Sequence, residues 1–136
     1  TTLYMHEEYK IKVIGLADWL SFDNLEVEYL NRLDVHLIVS EFIDYNDLSI
    51  QKFEKSFYEK TKSLPLEFAF LGFDVGFYYL GLLNEFGANF EVMFLGYQNE
   101  QLGRKFEFFK TGIESGYENH STMVIRYKNS QLERID

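Results

Sequence analysis

The hydrophobic pattern opens with a period of two. Residues 10–16 (Lys-Ile-Lys-Val-Ile-Gly-Leu) set Ile11, Val13 and Gly15 against Lys12 and Ile14 in a β-branched-rich run, which predicts a strand. Residues 18–23 form a loop, and Asp23 or Asn24 stands where a cap is needed for a short helix carrying Leu25, Tyr29, Leu30 and Leu33 inward. Residues 35–40 (Val-His-Leu-Ile-Val-Ser) are nearly continuous in apolar side chains. That is the pattern of a strand covered on both faces in a parallel sheet.

The period then lengthens. Ile50, Phe53 and Phe57 recur at helical spacing while Gln51, Lys52, Glu54, Lys55, Glu59 and Lys60 point elsewhere, which predicts a helix over 48–61. Pro65 opens the next element, and residues 66–86 run almost wholly apolar to Gly87, a helix stop. This second helix reads as buried, and Gly72, Gly76 and Gly81 as places where neighbouring backbone comes close. A membrane span is the rival reading of 68–83. It fails because the run is shorter than the roughly 20 residues a bilayer requires and holds Asp74 near its middle.

Residues 89–95 suit a short helix or a strand, and 96–103 a connecting loop. Residues 105–109 and 122–127 read as two strands paired antiparallel through a turn built from Gly112, Ser115, Gly116 and Asn119. Residues 128–131 form another polar turn, leaving 132–135 as a short edge strand. No repeat, low-complexity tract or linker divides the chain, so 1–136 reads as a single unit. The fold expected is α/β, with helices packed on a mainly parallel sheet and a C-terminal antiparallel strand pair.

Composition narrows function by exclusion. The 136 residues are 46% hydrophobic, enough for a core, and their net charge of -9 repels nucleic acid and anionic membrane surfaces. With no cysteine there is no disulfide scaffold, thiol catalysis or cysteine-held metal, and no cofactor is implied. The start, Thr1-Thr2-Leu3-Tyr4, has no signal-peptide character, so such a leader is either absent or already removed.

Candidate chemistry is sparse. His6-Glu7-Glu8 sits near a terminus, His36 inside the second strand as a hydrogen-bonded structural residue, and His120 in a turn without a nucleophile fixed beside it. Asp44 and Asp47 frame a turn and a helix cap, lacking the later Gly and distal Glu of a calcium loop. Asp74, among Phe73, Val75, Phe77 and Tyr78, needs a partner once desolvated. It is expected to tie the helix start to a loop by hydrogen bonds. Trp19 stands just past the carboxyl end of the first strand, where open α/β sheets place ligands, and serves equally as a lid on the core. No nucleophile–base pair or metal cluster is visible, so the chain reads as no enzyme.

Three stretches carry a resemblance: residues 9–19 (Tyr-Lys-Ile-Lys-Val-Ile-Gly-Leu-Ala-Asp-Trp), residues 67–80 (Glu-Phe-Ala-Phe-Leu-Gly-Phe-Asp-Val-Gly-Phe-Tyr-Tyr-Leu), and Gly116-Tyr117-Glu118-Asn119 leading into 124–127 (Val-Ile-Arg-Tyr). In this order they resemble the C-terminal part of type I periplasmic-binding-protein-like proteins, the leucine/isoleucine/valine-binding class of ABC-transporter receptors. The likeness is to the Bacteroidetes branch, in which such a domain follows peptidoglycan-binding LysM repeats. It implies a fragment of a two-lobed receptor that closes on a small polar solute, an amino acid or a peptidoglycan-derived compound, by hinge motion. It also implies a periplasmic or cell-envelope location, and an envelope protein or a second copy as partner. Carried onto this sequence, cleft positions fall at Ala17, Asp18 and Trp19 after the first strand and at Phe42 and Tyr45 after the second, Phe42 as a hinge residue, while Asp74 keeps the structural role its apolar surroundings predict. The alternative is an envelope scaffold that keeps the fold without a small-molecule ligand.

Overall fold

The computed structural model describes Tyr9 and residues 11–136. It is a mixed α/β chain. In chain order the elements are strand β1 (Val13–Leu16), a 3-10 turn (Ala17–Ser21), helix α1 (Val27–Arg32) and strand β2 (Val35–Val39). Helices α2 (Leu48–Thr61) and α3 (Glu67–Phe86) and a second 3-10 stretch (Gly87–Met93) follow. Strands β3 (Gln98–Glu100), β4 (Lys105–Phe109), β5 (Glu118–Asn119), β6 (Met123–Lys128) and β7 (Gln131–Arg134) close the chain. Lys10 and the His6-Glu7-Glu8 group lie outside the described residues.

Contacts group the chain into two compact units: residues 43–121 fold among themselves, and the stretches on either side of them fold together. The first unit comprises the described residues up to Phe42 together with 122–136. Its four-stranded sheet has the order β1-β2-β6-β7. Only β1 and β2 run parallel, with Val13 opposite Val35; β2 pairs antiparallel with β6, and β6 with β7. The expected mainly parallel sheet is thus a mixed, mostly antiparallel one. The two-residue loop Asn129-Ser130, both at positive φ, turns β6 into β7 with the handedness a tight hairpin requires.

One face of this sheet is the core. Leu30, Val35, Leu37, Val39, Met123 and Ile125 are buried, with Val13, Trp19, Leu33, Phe42, Tyr127 and Leu132 packed on them. The alternate positions Ile14, Leu16 and Ile38 remain exposed, so β2 is not covered on both faces as its run of apolar residues suggests. His36 is buried and its Nδ1 lies 2.7 Å from the Asp34 carbonyl oxygen, the structural role its strand position predicts. Helix α1 starts later than Asp23 or Asn24 would set it, with Glu26 at the N-cap position making no side-chain capping bond. Its six residues bury only Leu30.

The second unit is built on aromatic packing. Asp47 caps α2 by accepting the Ser49 amide at 2.6 Å, and Phe53 of α2 meets Phe70 of α3 at 4.9 Å between ring centroids. Beneath α3, Tyr78 stacks on Phe106 at 4.4 Å, and Leu82 and Phe94 complete the cluster. The three-stranded sheet has the order β3-β4-β5. Strand β4 therefore does not pair with β6: β3 and β5 occupy its two edges, while β6 lies between β2 and β7. The turn residues expected to join β4 to β6 instead fold locally, Gly112 donating to Ser115 Oγ at 3.0 Å, and return the chain as β5. Residues 96–103 include β3, where a plain loop was expected. Residues 89–95 resolve as 3-10 helix as far as Met93.

Helix α3 differs from expectation in its surroundings. A Cβ at Gly72, Gly76 or Gly81 meets nothing within 4 Å, so no neighbouring backbone approaches them. Phe70, Asp74, Tyr78 and Leu82 make the buried stripe, four residues apart, and the opposite face is open.

Candidate functional site

Each unit carries part of the expected chemistry. In the first, Trp19 sits on the 3-10 turn immediately after β1. Its ring folds back over Gly15, where an added Cβ would stand 2.6 to 2.9 Å from three ring atoms. Trp19 is half-buried and packs against the core, as does Phe42, so these two side chains seal the sheet. Asp18 is exposed, and its backbone carbonyl accepts the Ser21 hydroxyl at 2.7 Å. Replacing Gly15 with alanine should displace the indole, redden the emission of this single tryptophan and cost about 1–3 kcal/mol in overpacking. Unchanged fluorescence would contradict the packing.

In the second unit Tyr45 is exposed, its ring edge-on to Phe70 at 6.3 Å. Asp74 is fully buried. Its two oxygens accept the amides of Leu102 and Gly103, each at 2.9 Å, so the carboxylate clamps the turn between β3 and β4 to α3. The expected tie to a loop is present, made from the middle of the helix rather than its start. Burial pushes the Asp74 pKa up, and the amides of 102–104 pull it partly back. The buried Tyr78 hydroxyl, with no hydrogen-bond partner among the described residues, is pushed up to about 12 by desolvation.

An open cleft of about 420 Å³ lies elsewhere in the first unit, on residues not singled out from the sequence. Asn31, Arg32 and Asp34 line it from the end of α1 and the turn after it, and residues 126–130 from the β6–β7 hairpin. Arg126 donates through Nε and Nη2 to Glu133 Oε1, both at 2.6 Å, and Lys128 Nζ lies 3.6 Å from the same oxygen. Asn31 Oδ1 accepts the Ser130 amide at 3.0 Å, locking the hairpin tip to the helix. Three cationic side chains thus gather in an acidic protein. Arg126 and Lys128 alternate along one strand and so share a face, a signal readable in the sequence. Arg32 reaches the cleft only through the fold.

Hydrogen bonding to Arg126 holds Glu133 below its ordinary pKa of 4.5, and bonding to Ser49 holds Asp47 below 3.8. A depressed folded pKa means that the stability each supplies is complete above the ordinary value and is lost as pH falls through the folded one. The stability advantage of the wild type over Glu133→Gln should therefore be steady at neutral pH and shrink below 4.5, as read by denaturant unfolding across pH. A constant advantage down to acid pH would contradict the pairing.

Among the described residues, no group of three or more His, Asp or Glu could hold a metal ion, and no helix is long and apolar enough to cross a membrane. No family model, curated protein or solved structure matches the chain. The resemblance to periplasmic receptors therefore rests on its three sequence stretches alone. The mostly antiparallel sheet of the first unit departs from the parallel sheet expected with it.

Proposed function

We propose that the protein is a non-catalytic binding module for a small polar solute carrying a carboxylate, such as an amino acid or a peptidoglycan-derived compound. The observation that carries this reading is the cleft of about 420 Å³ in the first unit, a size suited to such a solute. Guanidinium and ammonium groups from Arg32, Arg126 and Lys128 offer charge-assisted bonds to a carboxylate, and Asp34 offers an acceptor for an amine. The same reading makes the chain part of a larger two-lobed receptor of the periplasm or cell envelope. The bare apolar positions Ile14, Leu16 and Ile38 support that, since further polypeptide would cover them.

Titration calorimetry with amino-acid and muropeptide libraries tests it. Saturable heat is expected for at least one member, weakened about tenfold or more when Arg32 and Lys128 are both replaced by alanine. Absence of heat for every member would overturn the reading. The scaffold alternative draws support from one observation, the packing of Trp19 over Gly15, which commits one face of that ring to the core.

A further inference from the structure

The cations that line the cleft of the first unit are partly committed inside the protein. Arg126 stands opposite Glu133 in the β6–β7 pairing, and its Nε and Nη2 both reach Glu133 Oε1 at 2.6 Å. Lys128, two residues on and so on the same face, lies 3.6 Å from that oxygen. Arg32 faces Glu28, one helical turn back, at 3.9 Å. Asp34 is the carboxylate that lines the cleft itself. Among the described residues, the cations Arg32, Arg126 and Lys128 are thus matched by the carboxylates Glu28, Asp34 and Glu133. Bonding to Arg126 holds Glu133 below its ordinary pKa of 4.5, so its charge is fixed at neutral pH.

A guanidinium offers a carboxylate two edges, Nε with Nη2 and Nη1 with Nη2. Glu133 holds the first edge of Arg126, and the second has no partner among the described residues. Beside it stands the Lys128 ammonium, whose half-exposed pair with Glu133 is weak enough to turn toward a solute. We propose that Glu133 determines the specificity of the cleft, leaving room for a solute with one carboxylate and turning away one that carries a second. This rests on the reading of the cleft as a carboxylate site. The first carboxylate takes the open edge of Arg126 together with Lys128. A second finds each cation already matched, and in a cleft of about 420 Å³ it stays near Asp34 and Glu133. Like charges about 6 Å apart near a protein surface cost about tenfold in affinity.

Glutamine and glutamate share a skeleton and differ by one carboxylate, so the ratio of their affinities for the full chain tests the proposal. Backbone amide shifts at 31–34 and 126–130 report both. In the wild type glutamine should bind about tenfold or more tightly than glutamate. Glu133→Gln keeps an oxygen for Arg126 and removes the charge, and should bring the two affinities to within about twofold. Glu133→Asp, which keeps the charge, should retain the preference. Loss of a merely structural contact would weaken both compounds alike and leave the ratio where it was. An unchanged ratio in Glu133→Gln, or a wild type that prefers glutamate, would overturn the proposal and leave the carboxylate reading in place. Shifts from neither compound would overturn it as well, and the muropeptide library then decides the carboxylate reading separately.

Discussion

Asp74→Leu should destabilise the second unit by about 3 kcal/mol, because it leaves the Leu102 and Gly103 amides buried without an acceptor. Asp74→Asn, which keeps one acceptor oxygen and turns its carboxamide NH2 toward the other backbone N–H, should cost about half as much. Denaturant unfolding gives the totals. Hydrogen exchange should show the amides of 102 and 103 losing protection first, since the clamp acts on that turn. The pH dependence runs opposite to that of Glu133. Burial raises the folded pKa of Asp74 above its unfolded 3.8, so the folded state takes up the proton first as pH falls. Relative to Asp74→Asn, the wild type should gain stability from neutral pH down toward 3.8. A flat difference would mean that the amides offset desolvation, and one of the other sign that they outweigh it.

Leu37→Ala should cost 2–5 kcal/mol, since the side chain is fully buried at the centre of the first unit's sheet, opposite Ile125 of β6. The neighbouring Ile38→Ala should cost about 1 kcal/mol, the loss of a β-branched side chain from a partly exposed position. The pair of variants measures directly how one-sided the sheet is. Equal losses would show that both faces of β2 are packed. In a longer protein carrying a cover for Ile14, Leu16 and Ile38, the Ile38→Ala loss should rise toward that of Leu37→Ala.

Elements set by local chemistry were legible in the sequence. The apolar period of Ile50, Phe53 and Phe57 behind an Asp47 cap defines α2 to the residue, and Pro65 and Gly87 bracket α3. The need of Asp74 for hydrogen bonds was equally readable, because a carboxylate among aromatic side chains has no cheaper state. Pairing was not. The alternation in 105–109 and 122–127 marks strands without naming their partners, and the short β3 and β5 that claim β4 are too brief to announce themselves. Nor does a glycine in an apolar helix say whether anything lies above it; Gly72 and Gly76 read as contact points and stand open. Trp19 was located correctly after β1, but its return over Gly15 depends on the turn between them. The cleft joins Arg32 to the 126–130 hairpin across most of the chain, beyond the reach of any spacing rule.

The central claim, that the first unit holds a small carboxylate-bearing solute in its cleft, is tested most directly by following backbone amide shifts while amino acids and muropeptides are titrated in. The account predicts saturable shifts concentrated at 31–34 and 126–130, lost when Arg32 and Lys128 are both replaced by alanine. Saturable shifts that fall elsewhere, or none from any compound, would contradict it.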